Sequence, residues 1–190
     1  QGLTAPLTVV RTIGTIDGVP RDWRDTPLLV EADLAGLADG TYQVVADVMD
    51  STRALGSATL TVVVRTGLDA QVAQLEAAAK SAPEGVRADL LYPVDRLRLV
   101  NLGRMELRTF DPTRDFAAAD SVLAAVRATR DPWAGRTGDM KRHYLLAEAG
   151  EIMPYRLYVP STYKAGQKRP LIVALHGLGQ TEDSFFDAYG

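Results

Sequence analysis

Cysteine is absent from all 190 residues, which excludes disulfides, thiolate chemistry and cysteine-based zinc sites while leaving the redox compartment open. Histidine is nearly as scarce. His143 and His176 are too far apart in sequence to form a local metal cluster, so neither a metal nor a cofactor is expected. No apolar run is longer than Leu171 to Leu175, far short of the roughly 20 residues that cross a bilayer, so no membrane partner is expected. The 21 basic and 24 acidic residues leave a net charge of -3 and are interspersed. With no basic face to follow a phosphate backbone, nucleic acid is not an expected partner. Residue 1 is Gln and no charged-then-apolar leader follows, so any secretion signal is expected to have been removed or never to have existed. The compartment stays open, with a secreted or periplasmic one favoured.

What is present falls into three segments. Leu7–Thr12, Leu28–Ala32, Thr41–Val48 and Ala58–Val64 carry the period-two pattern of strands. Tyr42, Val44, Ala46 and Val48 share one face of the third, and Ala58, Leu60, Val62 and Val64 one face of the fourth, as in sheets packed on one side. Asp50 to Gly56 reads as the turn between them. Leu37-Ala-Asp-Gly-Thr-Tyr42 resembles the tyrosine corner of immunoglobulin-like sandwiches, in which the phenol bonds a nearby backbone group.

From Gly67 the period becomes helical. Leu68, Val72, Leu75 and Ala79 form one apolar stripe, and Val86, Leu90, Val94 and Leu97 form a second after the break at Ser81-Ala-Pro83. Pro93 predicts a kink or a restart in the second helix. A third is expected to start at Asp111-Pro112, an N-cap followed by a first-turn proline, and to end before Asp131-Pro132, turning Phe116, Ala119, Val122, Leu123 and Val126 inward. Gly135 and Gly138 make residues 133–138 the best boundary. The expected organisation is therefore multidomain: a β-sandwich over 1–66, a helical insert over 67–132 and a further domain over 133–190.

In that last segment Arg142–Ala147 and Pro154–Pro160 read as a hairpin turning at Glu148-Ala-Gly-Glu151, with Glu148 and Glu151 as solvated carboxylates. His143, between Arg142 and Tyr144, reads as a surface residue. Leu171–Leu175 is apolar throughout, as a strand covered on both faces must be. It runs directly into His176-Gly177-Leu178-Gly179, after which Thr181 reads as the N-cap of an acidic first helical turn.

The order of hairpin, Tyr155-Arg-Leu-Tyr-Val-Pro160, polar loop, apolar strand and His176-Gly-Leu-Gly-Gln180 resembles the opening of α/β-hydrolases, in particular prolyl-oligopeptidase-like and polyhydroxyalkanoate-depolymerase-like serine esterases. It covers about the last third of the chain. Some esterases of this kind carry an immunoglobulin-like domain in front, which the first segment resembles more loosely. The resemblance implies that residues 133–190 hold the first strands of an α/β-hydrolase sheet, and that the Leu178 backbone N–H helps hold the tetrahedral oxyanion. Chemically, a fixed N–H aimed at a developing negative charge needs no reorganisation when that charge appears. Gly177 and Gly179 would let the chain turn closely beside a ligand, and His176 would brace the loop rather than transfer protons.

No Gly-x-Ser-x-Gly occurs in the chain, so it is expected to be the front portion of a serine hydrolase whose nucleophile lies elsewhere in the same protein. A carboxylic ester, small or polymeric, is the expected substrate. One oxyanion donor is worth about 10²–10³ in rate and a serine nucleophile roughly 10⁶, so these residues alone should be inactive. The alternatives are a prolyl-oligopeptidase-type peptidase, or a noncatalytic sandwich for oligomerisation or polymer binding, with a homo-oligomer formed through the sandwich. Gly177-Leu-Gly179 also begins a dinucleotide fingerprint, but Glu182 at its third glycine position would face the pyrophosphate.

Overall fold

The computed structural model describes residues 11–22, 24–25 and 33–189. Two compact units divide the chain, Gln1–Gly67 and Leu68–Gly190. Among the described residues the first contains one hairpin, β1 (Gly40–Asp50) and β2 (Arg53–Val64), paired antiparallel. Its register sets Tyr42 opposite Val62, Val44 opposite Leu60 and Ala46 opposite Ala58, so the two expected apolar faces coincide. The connection is shorter than the Asp50–Gly56 turn expected from sequence. Asp50 already pairs with Arg53, and Ser51 at φ +54° makes the reversal. Arg53 to Gly56, which follow it, are strand, with Leu55 as the extra residue of a bulge at Val48/Met49.

The Tyr42 hydroxyl donates to the Ala38 carbonyl at 2.9 Å, a local tie of the tyrosine-corner kind. Asp39 Oδ1 accepts from both the backbone N and the hydroxyl of Thr66, each at 2.7 Å, and joins the two ends of the hairpin. Those bonds from Thr66 hold the Asp39 carboxyl below its ordinary value. The expected strand Leu28–Ala32 and most of Leu7–Thr12 lie outside the described residues, while Arg11 and Thr12 are not in a strand.

In the second unit α1 (Leu68–Ser81), α2 (Glu84–Asn101) and α3 (Pro112–Arg127) enclose a core of Leu75, Ala79, Val86, Leu90, Phe110, Phe116, Ala119, Val122 and Leu123. Leu75, Leu90 and Phe116 are completely buried. The helix ends follow local chemistry. Asp111 accepts from the Arg114 N–H at 3.0 Å with Pro112 at the first helical position. After α2, Gly103 at φ +68° lets the Arg104 N–H return to Leu99 O at 2.9 Å; after α3 the same closure places Thr129 at φ +54°, with Arg130 N on Ala125 O at 2.9 Å. Pro93 stays inside α2 rather than restarting it. It is fully buried and withholds the N–H that the Asp89 carbonyl would otherwise receive.

β3 (Gly138–Leu146) and β4 (Glu151–Val159) form the second hairpin, closed by residues 147–150 with Gly150 at φ +63°. Both strands start earlier than expected, so Pro154 lies within β4, opposite His143. The position tolerates proline because the His143 N–H is turned out of the ladder toward Asp89, which marks this as a non-hydrogen-bonded pair. Glu151 is not simply solvated: it pairs with Arg104 at 2.8 Å.

The hairpin packs on α2, which is thereby buried on two faces. One carries Val86 and Leu90. The other carries Asp89, Tyr92, Asp95, Arg96 and Leu99, and grips strand backbone directly: Asp95 Oδ2 accepts from Ile152 N at 3.0 Å, and Arg96 donates to Ile152 O. The expected boundary near residue 133 is therefore not a boundary between compact units, since helices and hairpin share polar contacts that neither could satisfy alone.

The apolar segment Leu171–Leu175 departs most from expectation. It forms no strand, and Leu171, Ile172, Val173 and Leu175 are exposed. Among the described residues no strand lies beside it to complete a ladder, and backbone without a partner is not a sheet. Beyond it α4 (Glu182–Tyr189) returns to the hairpin.

Candidate functional site

Two groups of residues carry chemistry. The first is the loop His176-Gly177-Leu178-Gly179 ahead of α4. Gln180 N donates to Gly177 O at 3.1 Å, closing a four-residue turn whose third position, Gly179, has φ +78°. A type II turn needs that conformation there. The Gln180 side chain accepts from Gly177 N at 3.1 Å, and a Cβ at Gly177 would stand 3.4 Å from that same oxygen. His176 Nδ1 donates to the Gly177 carbonyl at 3.0 Å, so the ring folds back on its own loop. Leu178, second in the turn, is fully exposed, and among the described residues no acceptor meets its N–H. The Leu178 amide is thus left without an acceptor in a turn braced by the His176 and Gln180 side chains.

α4 holds this loop to the hairpin. Thr181 caps it, its Oγ1 accepting from Ser184 N at 3.2 Å while Ser184 Oγ accepts from Thr181 N at 2.9 Å, a reciprocal cap with serine in the third helical position. The first turn is then clamped electrostatically. Lys141 of β3 reaches Glu182 at 2.7 Å and Asp183 at 2.6 Å; Arg156 of β4 reaches Asp183 at 2.9 Å and Asp187 at 3.4 Å, and also pairs with Asp139. The Arg156 guanidinium lies 4.7 Å from the centre of the Phe186 ring. Burial pushes the Asp183 carboxyl up, but the hydrogen bonds from Lys141 and Arg156 outweigh it and hold it below its ordinary value. Burial likewise pulls Lys141 down, and its two carboxylate partners bring it above the ordinary lysine value.

The second group centres on Asp89, whose side chain is 2% exposed. Its Oδ2 accepts from Trp133 Nε1 and Arg142 Nε, each at 3.0 Å; its Oδ1 accepts from His143 N and His143 Nδ1, each at 2.9 Å. The His143 ring stacks on Tyr92 with centroids 3.9 Å apart, and burial pushes the Tyr92 phenol above its ordinary value. Arg142 lies 4.2 Å from the centre of the Trp133 ring. His143 is thus not the surface residue expected from its polar neighbours. Neither it nor Asp89 was legible as part of a site, because a one-stripe reading of α2 sees only Val86, Leu90, Val94 and Leu97. The signal available was Tyr92 and Leu99, large apolar residues off that stripe and in phase with Asp89.

Among the described residues no three His, Asp or Glu side chains gather as a metal site, and no helix is long and apolar enough to cross a membrane. Comparison with known proteins returns no matching family model, no matching curated protein and no matching solved structure.

Proposed function

We propose that the chain is the oxyanion-binding front portion of a serine hydrolase, with a carboxylic ester as substrate and the nucleophile supplied by further sequence of the same protein. The Leu178 amide carries this assignment: it meets no acceptor among the described residues and sits in a turn fixed by Gly177, Gly179 and Gln180, at the end of an apolar segment. An acyl-transfer transition state places negative charge on the former carbonyl oxygen, and an N–H already held in place stabilises it without reorganisation. The uncovered Leu171–Leu175 segment suits the same assignment, since a five-residue apolar stretch gains its full stability only between neighbouring strands and under covering helices. His176, with Nδ1 donating to the Gly177 carbonyl, stiffens the loop and takes no proton-transfer role.

The mechanism would be attack by an elbow serine on the ester carbonyl, proton relay by a histidine and an acid outside this chain, and collapse of the intermediate held at Leu178. The front segment would be an immunoglobulin-like module, for which the Tyr42 to Ala38 bond and the alternating hairpin are the support. The deciding experiment is hydrolysis of a short p-nitrophenyl ester by the whole gene product. Activity lost on replacing the serine of a Gly-x-Ser-x-Gly supports the assignment; a whole product without that motif and without activity removes it.

A further inference from the structure

Every residue from 160 to 180 is exposed, and among the described residues this stretch bonds only to itself. Tyr163 N donates to Pro160 O at 2.9 Å and Gln167 N to Lys164 O at 3.1 Å; the other bonds belong to the 176–180 loop and to Arg169 with Gln167. The turn that carries the Leu178 amide therefore takes its place on the second unit from α4, which follows it. An eight-residue helix does not persist by itself, since isolated helices shorter than about 12–15 residues are marginal in water. Docking thus decides both whether α4 is a helix and where the turn stands.

The docking contacts are unequal. Arg156 keeps Asp139, on its own hairpin, whether or not α4 is in place. Lys141 pairs with no carboxylate among the described residues except Glu182 at 2.7 Å and Asp183 at 2.6 Å, the first two residues of α4. Asp183 also meets Arg156 at 2.9 Å, but Glu182, with its side chain only 18% exposed, pairs with Lys141 alone. Removing Lys141 leaves that carboxylate withdrawn from water with no cation, and breaking one side of a buried pair costs far more than the intact pair contributes. Undocking is then the way for Glu182 to regain water.

We propose that Lys141 is a positioning residue for the Leu178 amide: its pairs with Glu182 and Asp183 seat α4 on the hairpin, and α4 seats the 177–180 turn. The proposal rests on the acyl-transfer function, because the place of that amide affects a rate only where an oxyanion forms beside it. Lys141 acts through α4 and takes no part in the chemistry.

The test has two readouts. In the full chain, Lys141→Met is expected to speed hydrogen exchange at the α4 amides by about tenfold or more while α1, α2 and α3 keep their protection. In the whole gene product the same variant is expected to lower kcat for a short p-nitrophenyl ester about 10–100-fold with KM little changed, a smaller loss than the roughly 10²–10³-fold at which one oxyanion donor is valued. Lys141→Arg, which keeps the charge, is expected to restore both. Glu182→Gln combined with Asp183→Asn removes the same pairs from the α4 side and leaves the hairpin untouched, so it decides the point should Lys141→Met not fold. A whole product inactive with Lys141 in place removes the acyl-transfer function and this proposal with it. An active product is the other case: kcat unchanged in both variants, kcat lowered with α4 exchange unchanged, or an arginine variant as impaired as the methionine one overturns this proposal alone.

Discussion

Asp89 Oδ1 receives two hydrogen bonds from one residue, His143, whose backbone N and ring Nδ1 both lie 2.9 Å away although the two residues are 54 positions apart. One carboxylate thus sets both the strand backbone and the orientation of the imidazole. Its other oxygen takes Trp133 and Arg142, so a single side chain of α2 ties together the strand, the loop before it and the stacked ring.

Replacing Asp89 should therefore be among the most damaging single changes to the second unit. Asp89→Ala leaves the Arg142 guanidinium, with a side chain only 15% exposed, without its carboxylate and strands the Trp133 and His143 donors. The expected loss is about 3–5 kcal/mol, read by urea unfolding of the whole chain. Glu76→Gln, at an exposed position of α1, should change stability by no more than about 0.5 kcal/mol in the same experiment. Equal effects for the two variants would remove the central role given to Asp89.

Docking of α4 should depend on pH at both extremes. The Asp183 carboxyl is held below its ordinary value of 3.8, so its contribution is complete above that value and is lost as pH falls through the lower, folded one. Lys141 is raised above 10.5, so its contribution is complete below that value and is lost as pH rises through the higher, folded one. Hydrogen exchange at the amides of α4 should be slowest and flat between about pH 4 and 10 once corrected for intrinsic rates, and accelerate outside that window. Asp183→Asn should speed exchange across the whole plateau. A corrected profile that slopes steadily through neutral pH would contradict the clamp.

The end of α3 carries removable strain. Thr129 holds φ +54° with its side chain exposed, a conformation that costs a β-branched residue and suits glycine. Thr129→Gly is expected to stabilise the chain by about 0.5–1 kcal/mol, measured as an upward shift of the urea midpoint. A downward shift would mean that the hydroxyl or methyl contributes more than the backbone conformation costs.

Leu178→Pro separates the amide from the turn. Proline is favoured at the second position of a type II turn, so the loop should persist while the N–H at position 178 disappears. Under the proposed acyl-transfer function, kcat of the whole gene product for a p-nitrophenyl ester is expected to fall about 10²–10³-fold with KM little changed. An unchanged kcat in a folded variant would show that the oxyanion is held elsewhere.

Much of the local architecture was legible because it rests on neighbours in sequence. The Asp111-Pro112 start of α3, the Thr181 cap of α4 and the matched faces of the first hairpin each follow from side chains acting within a few residues, whose geometry a short segment determines. The two-residue reversal at Ser51–Thr52 was missed because the bulge at Leu55 breaks the period of two and Gly56 reads as a turn residue when spacing alone is used.

The motif at 176–179 could be read from sequence because the need for a tight turn beside an apolar run is written in Gly177 and Gly179 themselves. The Asp89 cluster could not, and the physical reason is distance along the chain. A buried carboxylate is tolerated only when donors converge on it, and here they come from Trp133, Arg142 and His143 on a loop and a strand that no periodicity links to α2. Helix phases, caps and turn glycines were determined by the sequence on its own; which face of α2 would hold charge, and that an imidazole would be buried against its carboxylate, was decided only when hairpin and helices packed together.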